Sequence, residues 1–263
     1  MDYIRADALI ARLKKAKSRS EAADLIKRGL VTVDGKPVAK SASLVPVDCH
    51  IVIHEPRKFV SRGGDKLQGA LSDMDVDVSS KIVIDAGAST GGFTDCLLQN
   101  GAKRIYAVDV GYGQLDWKIR NDPRVVVMER TNIRHVTPQD IPEKCHLAVL
   151  DLSFISLKHV LPSVAVLLTH TGSMITLVKP QFEVGKDLPG FKGVVRDKNI
   201  HRRVLDDIIV YMDHNAWTVC DIVASRLMGP KGNKEFFILM TKDPEARAVD
   251  LHDRIKLAVE RSI

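Results

Sequence analysis

Cysteine is scarce and scattered. Cys49, Cys96, Cys145 and Cys220 lie far apart and no two form a Cys-x-x-Cys pair, which argues against both a disulfide framework and a zinc site. No metal is expected, and the cysteines read as small buried hydrophobes. Long apolar runs are also missing: no stretch of about 18 apolar residues occurs, so no spanning helix is expected. The opening Met1-Asp-Tyr-Ile-Arg-Ala-Asp7 lacks the charged-then-apolar layout of a secretory signal. A cytoplasmic globular protein without stable membrane association is the expectation. Excess positive charge is absent from most of the chain, because residues 61–263 hold 27 Lys and Arg against 26 Asp and Glu. Residues 1–60 hold 12 against 7. A small basic module on a near-neutral body suits a polyanion-binding attachment, although charge alone fits a merely solvated face equally well. The 263 residues, 45% of them hydrophobic, suffice for a full core in one large domain or a large and a small one.

Within the basic quarter, residues 6–16 place Ala8, Leu9, Ala11, Leu13 and Ala16 among basic residues with no breaker inside, which predicts a short helix. Ser18-Arg-Ser-Glu21 has capping-box spacing, and Gly29 stands where a left-handed C-cap belongs, so a second helix is framed between them. Leu30–Val33, Asp34-Gly35 and Lys36–Val38 read as a hairpin, followed by a strand at His50–Ile53. The module is expected to end near residue 58. An interrupted apolar stripe without aromatics speaks against a membrane-surface element.

Beyond it, Lys81-Ile-Val-Ile-Asp85 is a short apolar run that stops at an acid, and Ala86-Gly-Ala-Ser-Thr-Gly-Gly-Phe93 turns into a helix start. Gly87, Gly91 and Gly92 leave the backbone open to a ligand, and the free N–H groups of a helix start are donors for one. An ordinary strand-to-helix turn would look the same. Asp109 ends the next strand, read within Arg104-Ile-Tyr-Ala-Val-Asp-Val-Gly111, 24 positions after Asp85. That is close to the roughly 20-residue offset at which an acid accepts from ribose hydroxyls in a nucleotide-binding unit. Further strands are predicted at 125–128, 146–151, 174–179, 218–225 and 235–240, with helices over 157–168, 200–213 and 249–262. The long, basic, glycine-rich connection 181–198 suits a substrate lid. This strand and helix alternation predicts an α/β fold with a mostly parallel seven-stranded sheet whose last strand is antiparallel.

Four charged residues are left over by packing: Lys66, Asp151, Lys179 and Glu235. Three lie at strand ends or starts, and hairpin reversal brings Glu235 to the edge where Asp151 and Lys179 emerge. A hydroxyl nucleophile is a very weak acid that has to be oriented and deprotonated. A lysine held by carboxylates can do both.

The basic module resembles the RNA-binding domain first described in ribosomal protein S-four, through Arg5-Ala-Asp7, Ser18-Arg-Ser-Glu-Ala22 and Gly29-Leu-Val-Thr-Val-Asp-Gly-Lys-Pro37. The resemblance implies that Arg5, Arg19, Lys27, Arg28 and Lys40 face RNA. Asp85-x-Gly-x-x-x-Gly-Gly92 looks like the turn of Rossmann-like methyltransferases that bind S-adenosylmethionine. It implies cofactor contacts at Asp85, Gly87, Ser89, Thr90, Gly91, Gly92 and Phe93, ribose contact at Asp109, and adenine contact at Asn132 and Ile133. Together with Ser61-Arg-x-x-x-Lys66-Leu, Asp151-Leu-Ser-Phe-Ile-Ser156, Val178-Lys-Pro-Gln-Phe-Glu183 and Gly229-Pro-Lys-Gly-Asn-Lys-Glu-Phe236, these motifs resemble the TlyA, or hemolysin-A-like, family over almost the whole chain. The family's catalytic domain is similar to the FtsJ type of ribose 2′-O-methyltransferase, whose Lys-Asp-Lys-Glu centre falls on Lys66, Asp151, Lys179 and Glu235. Arg62 joins the RNA-facing set.

The resemblance implies two domains, 1–58 and 59–263, and methylation of a cytidine ribose in bacterial ribosomal RNA, free or in ribosomal subunits. One departure stands out: Gly63-Gly64-Asp65 replaces a bulkier, often aromatic segment of the FtsJ type. Two other readings remain, a membrane-active cytolysin as the family's older name suggests, and a nucleotide-dependent oxidoreductase that shares the sheet.

Overall fold

The computed structural model describes residues 2–55, 57–184, 193–246 and 249–262. It divides into two compact units, residues 1–57 and 58–263.

In the first unit, β1 (Tyr3–Arg5) leads into α1 (Ala6–Arg12) and α2 (Arg19–Lys27), followed by β2 (Val31–Val33), β3 (Lys36–Pro37), β4 (Leu44–Pro46) and β5 (Ile51–Ile53). The Ser18 hydroxyl accepts from the Glu21 N–H at 3.1 Å, so the expected cap starts α2. The order β3-β2-β5 is antiparallel throughout, as the Asp34-Gly35 turn requires. A second sheet pairs β1 with β4. Each of these strands is three residues long, too short for alternation to show in sequence. The first helix ends at Arg12, short of residue 16, because Lys14 turns into the left-handed region at φ 56°.

The second unit runs α3 (Arg62–Asp73), β6 (Ile82–Ala86), α4 (Gly92–Gln99), β7 (Arg104–Val108), α5 (Trp117–Arg120), β8 (Val125–Met128), β9 (Cys145–Leu150), α6 (Leu161–Ala165), β10 (Leu168–Val178), α7 (Pro180–Glu183), α8 (Lys198–His214), β11 (Thr218–Ala224), β12 (Phe236–Thr241) and α9 (Leu251–Glu260). Seven strands form one sheet in the order β11-β12-β10-β9-β6-β7-β8, and only β12 runs against the rest. Both faces are covered. Ile82, Ile84 and Ala86 join one hydrophobic cluster and Val83 the other, just as Phe236 and Phe237 split between them. This two-sided burial explains why the strands read as continuous apolar runs instead of alternating ones. Each fully buried phenylalanine contributes about 2–3 kcal/mol.

Two expectations change here. The helix read over 157–168 is a 3₁₀ turn at Leu157–His159 and the short α6, after which β10 begins at Leu168. Pro162 lies in the first turn of α6, where its missing N–H costs nothing. The helical turn read from Lys66 is a full helix from Arg62, despite three glycines. A Cβ on Gly64 would lie 2.4 Å from the Phe59 side chain, so Phe59 supplies from outside α3 the bulk that Gly63-Gly64-Asp65 lacks. Of the segment read as a lid, residues 185–192 lie outside the described residues; α7 precedes them, and residues 193–198 lead into α8.

Candidate active site

β6 and β9 are neighbours in the sheet although β7 and β8 separate them in the chain, and such a switch point opens a crevice at the C-terminal strand ends. A cavity of about 460 Å³ lies there, lined by Gly87, Ser89, Asp109, Asn132 and Ile133, the 151–155 segment, and apolar residues such as Val108 and Val160. That volume is within the range of small-molecule sites. Gly87 has φ 89°, and a Cβ on it would lie 2.5 Å from the Asp151 carbonyl oxygen. Only glycine lets the turn lie against the start of the 151–156 loop. Asp109 follows β7, and its carboxylate accepts from the Ser89 N–H at 2.8 Å and the Gly111 N–H at 2.6 Å. It is thereby fixed in orientation with lone pairs left for hydroxyl donors.

The glycine-turn residues divide. Gly87, Ser89, Asp109, Asn132 and Ile133 border the cavity, whereas Asp85, Thr90, Gly91, Gly92 and Phe93 do not. Phe93 is 3% exposed and packs near Phe237, ring centroids 6.1 Å apart. Its side chain belongs to the core, leaving only its backbone to any ligand. A Cβ on Gly92 would strike Ser61 and one on Gly91 would crowd Leu115, so these glycines serve close packing of the turn. The Thr90 carbonyl accepts from the Asp116 N–H at 3.1 Å. Asp85 is fully buried; Thr94 donates to its Oδ2 at 2.6 Å, and its Oδ1 has no partner. Burial pushes its carboxyl up to about 7, with nearby Asp151 adding to the rise and the Thr94 hydrogen bond opposing it.

The leftover charges form two pairs. Lys66 Nζ lies 2.5 Å from Glu235 Oε2, with both residues buried. A Cβ on Gly229 would collide with the Glu235 carboxylate, and Glu235 Oε1 has no partner. Lys179 Nζ lies 2.7 Å from Asp151 Oδ1 and donates to Ser153 Oγ at 2.9 Å. Val178 pairs with Phe236 across β10 and β12, so Lys179 and Glu235 are the next residues beyond that pair on one sheet edge. Arg62 is exposed one helical turn before Lys66. Ser153, Phe154 and Glu183 lie inside the quoted motifs but carried no assignment; their neighbours are distant in sequence.

In the first unit Arg5 grips Asp7 with both arms of its fork, at 3.1 and 2.8 Å, and Arg19 reaches it at 3.4 Å. Asp7 is 5% exposed. Its hydrogen bonds with Arg5 pull the carboxyl down to about 2 against the opposing effect of burial, with Arg19 assisting. Lys27, Arg28 and Lys40 are exposed.

A mostly parallel seven-stranded sheet with a cavity at its switch point is the architecture of a Rossmann-like domain, and here the family model that matches is that of the FtsJ-like methyltransferases. The model of that family matches residues 59–242, and that of the S4 domain matches residues 4–48. The chain is 44% identical to the 16S/23S rRNA (cytidine-2′-O)-methyltransferase TlyA of Mycobacterium tuberculosis, over 97% of each chain. It is 38% identical to Hemolysin A of Brachyspira hyodysenteriae, over 84% of this chain and 92% of that one. A solved structure from Streptococcus thermophilus that carries the hemolysin label matches at a TM-score of 0.75 and 38% identity, covering 98% of this chain and 95% of that one. The chain belongs to the TlyA family. Membership removes the oxidoreductase reading, and among the described residues no helix is long and apolar enough to cross a membrane.

Proposed function

We propose that the protein transfers a methyl group from S-adenosylmethionine to the ribose 2′-hydroxyl of a cytidine in bacterial ribosomal RNA, in the cytoplasm, with the N-terminal unit binding the RNA. The observation that carries this reading is Lys179, held by Asp151 and Ser153, two residues that also line the cavity.

The cavity's donor and acceptor set suits the cofactor. Asp109 offers a fixed carboxylate to a ribose diol, Asn132 an amide, and Val108 and Ile133 apolar surface to a purine, while Gly87 keeps side-chain bulk away from the turn. Bound there, S-adenosylmethionine supplies an electrophilic methyl group. The chain's own residues then act on the acceptor oxygen. An ammonium has three donors; Lys179 gives one to Ser153 and lies at ion-pair distance from Asp151, so donor capacity remains to direct the 2′-oxygen. In its amine form Lys179 would take the hydroxyl proton at Nζ as the C–O bond forms and the methyl–sulfur bond breaks, the sulfonium leaving as a neutral thioether, and Asp151 would stabilise the resulting ammonium. The buried Lys66–Glu235 pair adds a second fixed cation beside this edge. Alignment of oxygen with methyl carbon supplies much of the acceleration. In the N-terminal unit, Arg5 and Arg19, oriented by Asp7, together with Lys27, Arg28 and Lys40, contact phosphates; in the catalytic unit Arg62 supplies a further exposed cation.

Incubation of ribosomal subunits and free ribosomal RNA with tritiated S-adenosylmethionine, followed by reverse transcription at low nucleotide concentration, tests the proposal. A cofactor-dependent stop at a cytidine is expected. Label recovered as a base-methylated nucleoside would overturn it.

A further inference from the structure

We propose that Glu183 is a positioning residue for methyl transfer, acting by clasping the 151–157 loop onto the segment that carries Lys179. This inference rests on the function proposed above. Lys179 ends the extended segment after β10, and Pro180–Glu183 follow at once as α7. Glu183 Oε2 accepts from the Ser156 hydroxyl at 2.7 Å and Oε1 from the Leu157 N–H at 2.9 Å. Both oxygens of one carboxylate thus hold the far end of the loop. The near end is held by Lys179, through Asp151 at 2.7 Å and Ser153 at 2.9 Å. Between these anchors Phe154 sits at φ 64°, a strained conformation for a residue with a side chain, its ring 4.9 Å from that of Phe182.

A loop with a residue in the left-handed region has no local reason to keep this shape. Something outside the loop must over-determine it, and the two hydrogen bonds to Glu183 do so. The consequence reaches two functions at once, because residues 151–155 wall the cavity and Asp151 and Ser153 orient the lysine. Release of the Glu183 end would let that wall and the two acceptors around Nζ drift together. Removal of the carboxylate is therefore expected to act on turnover and on cofactor affinity, and to leave RNA affinity alone.

The experiment compares wild type, Glu183→Ala, Glu183→Gln and Lys179→Ala in the full chain, with ribosomal RNA and tritiated S-adenosylmethionine. Glutamine keeps the shape of the clasp, since its amide oxygen accepts from Leu157 and its NH₂ donates to Ser156. Glu183→Ala is expected to lower kcat about 30-fold, within the range that misplacement of reacting groups costs, and to weaken cofactor binding measured by calorimetry. KM for RNA stays within about twofold, and Glu183→Gln recovers most of the turnover. Amide hydrogen exchange at residues 156–157, the Glu183 end of the loop, rises in Glu183→Ala and not in Glu183→Gln. If that variant fails to fold, Ser156→Ala, which removes one arm of the clasp, takes its place with the same expected direction. Unchanged kcat in Glu183→Ala, a loss confined to RNA KM, or a loss that glutamine does not recover overturns the inference. Absence of methyl transfer in wild type would instead overturn the functional reading, and the exchange measurement would still report on the clasp.

Discussion

The two units of this protein handle charge in opposite ways. In the first, Arg5 and Arg19 remain half exposed around one buried carboxylate, Asp7, so the cations are oriented yet stay available at the surface. In the second, Lys66 and Glu235 are buried together, and Lys179, only 11% exposed at its side chain, is held by Asp151. Exposed cations suit phosphate contact, which supplies affinity without sequence information. Buried pairs add little net stability, and their preset geometry is what a reaction can use. Under the function proposed above, the contrast separates RNA capture from chemistry, and substitutions in the two units are expected to separate along the same line.

The largest effect is expected at Lys179. Lys179→Ala lowers turnover on ribosomal RNA at least about 10³-fold, as loss of a proton-transfer group does, while cofactor affinity by calorimetry changes less than about threefold. Near-normal turnover would remove Lys179 from the chemistry and dissolve the contrast. Asp109→Ala comes next, with cofactor affinity falling about 10- to 100-fold, the scale of lost hydrogen bonds to a charged group. RNA affinity measured in parallel stays at the wild-type level; if it falls equally, the two functions are not separate.

How far this contrast could be read from sequence depends on distance along the chain. The glycine turn, Asp109, Asp151 and Lys179 stand out in sequence because each interrupts or ends an apolar run and strand ends in a parallel sheet converge on one edge, whereas Lys66 lies in a helix and is marked by no such run. Local hydrogen bonds, such as Ser18 to Glu21, were equally legible. Side-chain direction was not. Phe93 belongs to the right motif yet points into the core, because its helix buries nearly every face. Ser153 and Glu183 gain their partners 26 or 27 positions away, and no local pattern encodes such a pairing. The β1–β4 sheet escaped notice for the same reason: its register joins Tyr3 to Pro46.

Two of the buried aspartates, Asp85 and Asp7, sharpen the comparison through pH. Asp85 has its carboxyl raised from 3.8 to about 7 by burial, so the folded state binds a proton that the unfolded state has released. Its stabilising contribution is full below about pH 4 and is lost as pH rises towards 7, roughly 2 kcal/mol between pH 5 and 7. Asp7 is lowered from 3.8 to about 2 by Arg5, and its contribution is present above pH 4 and lost as pH falls through 2. Urea unfolding across pH 3–8 is expected to show Asp85→Asn flattening the neutral limb for the catalytic unit. Asp7→Asn flattens only the acid limb of the first unit, and by less. A neutral-limb slope that survives Asp85→Asn would mean that another group carries it.

The smallest effect, and the finest test of the contrast, is expected at Arg19. Its guanidinium reaches Asp7 only at 3.4 Å, whereas Arg5 holds that carboxylate at 2.8 Å, so Arg19→Ala leaves the buried charge partnered and the unit folded. If Arg19 contacts one phosphate, its removal lowers RNA affinity about two- to fivefold and reduces the slope of log affinity against log salt by about 0.7–0.9. At saturating RNA, turnover is unchanged, because the lysine and the loop that holds it lie in the other unit. Arg5→Ala is the control for the opposite case: it strips the bidentate partner from Asp7 and is expected to lower the first unit's urea midpoint together with RNA affinity. Equal stability losses for the two arginines would show that Arg19 helps hold Asp7 and is not reserved for RNA.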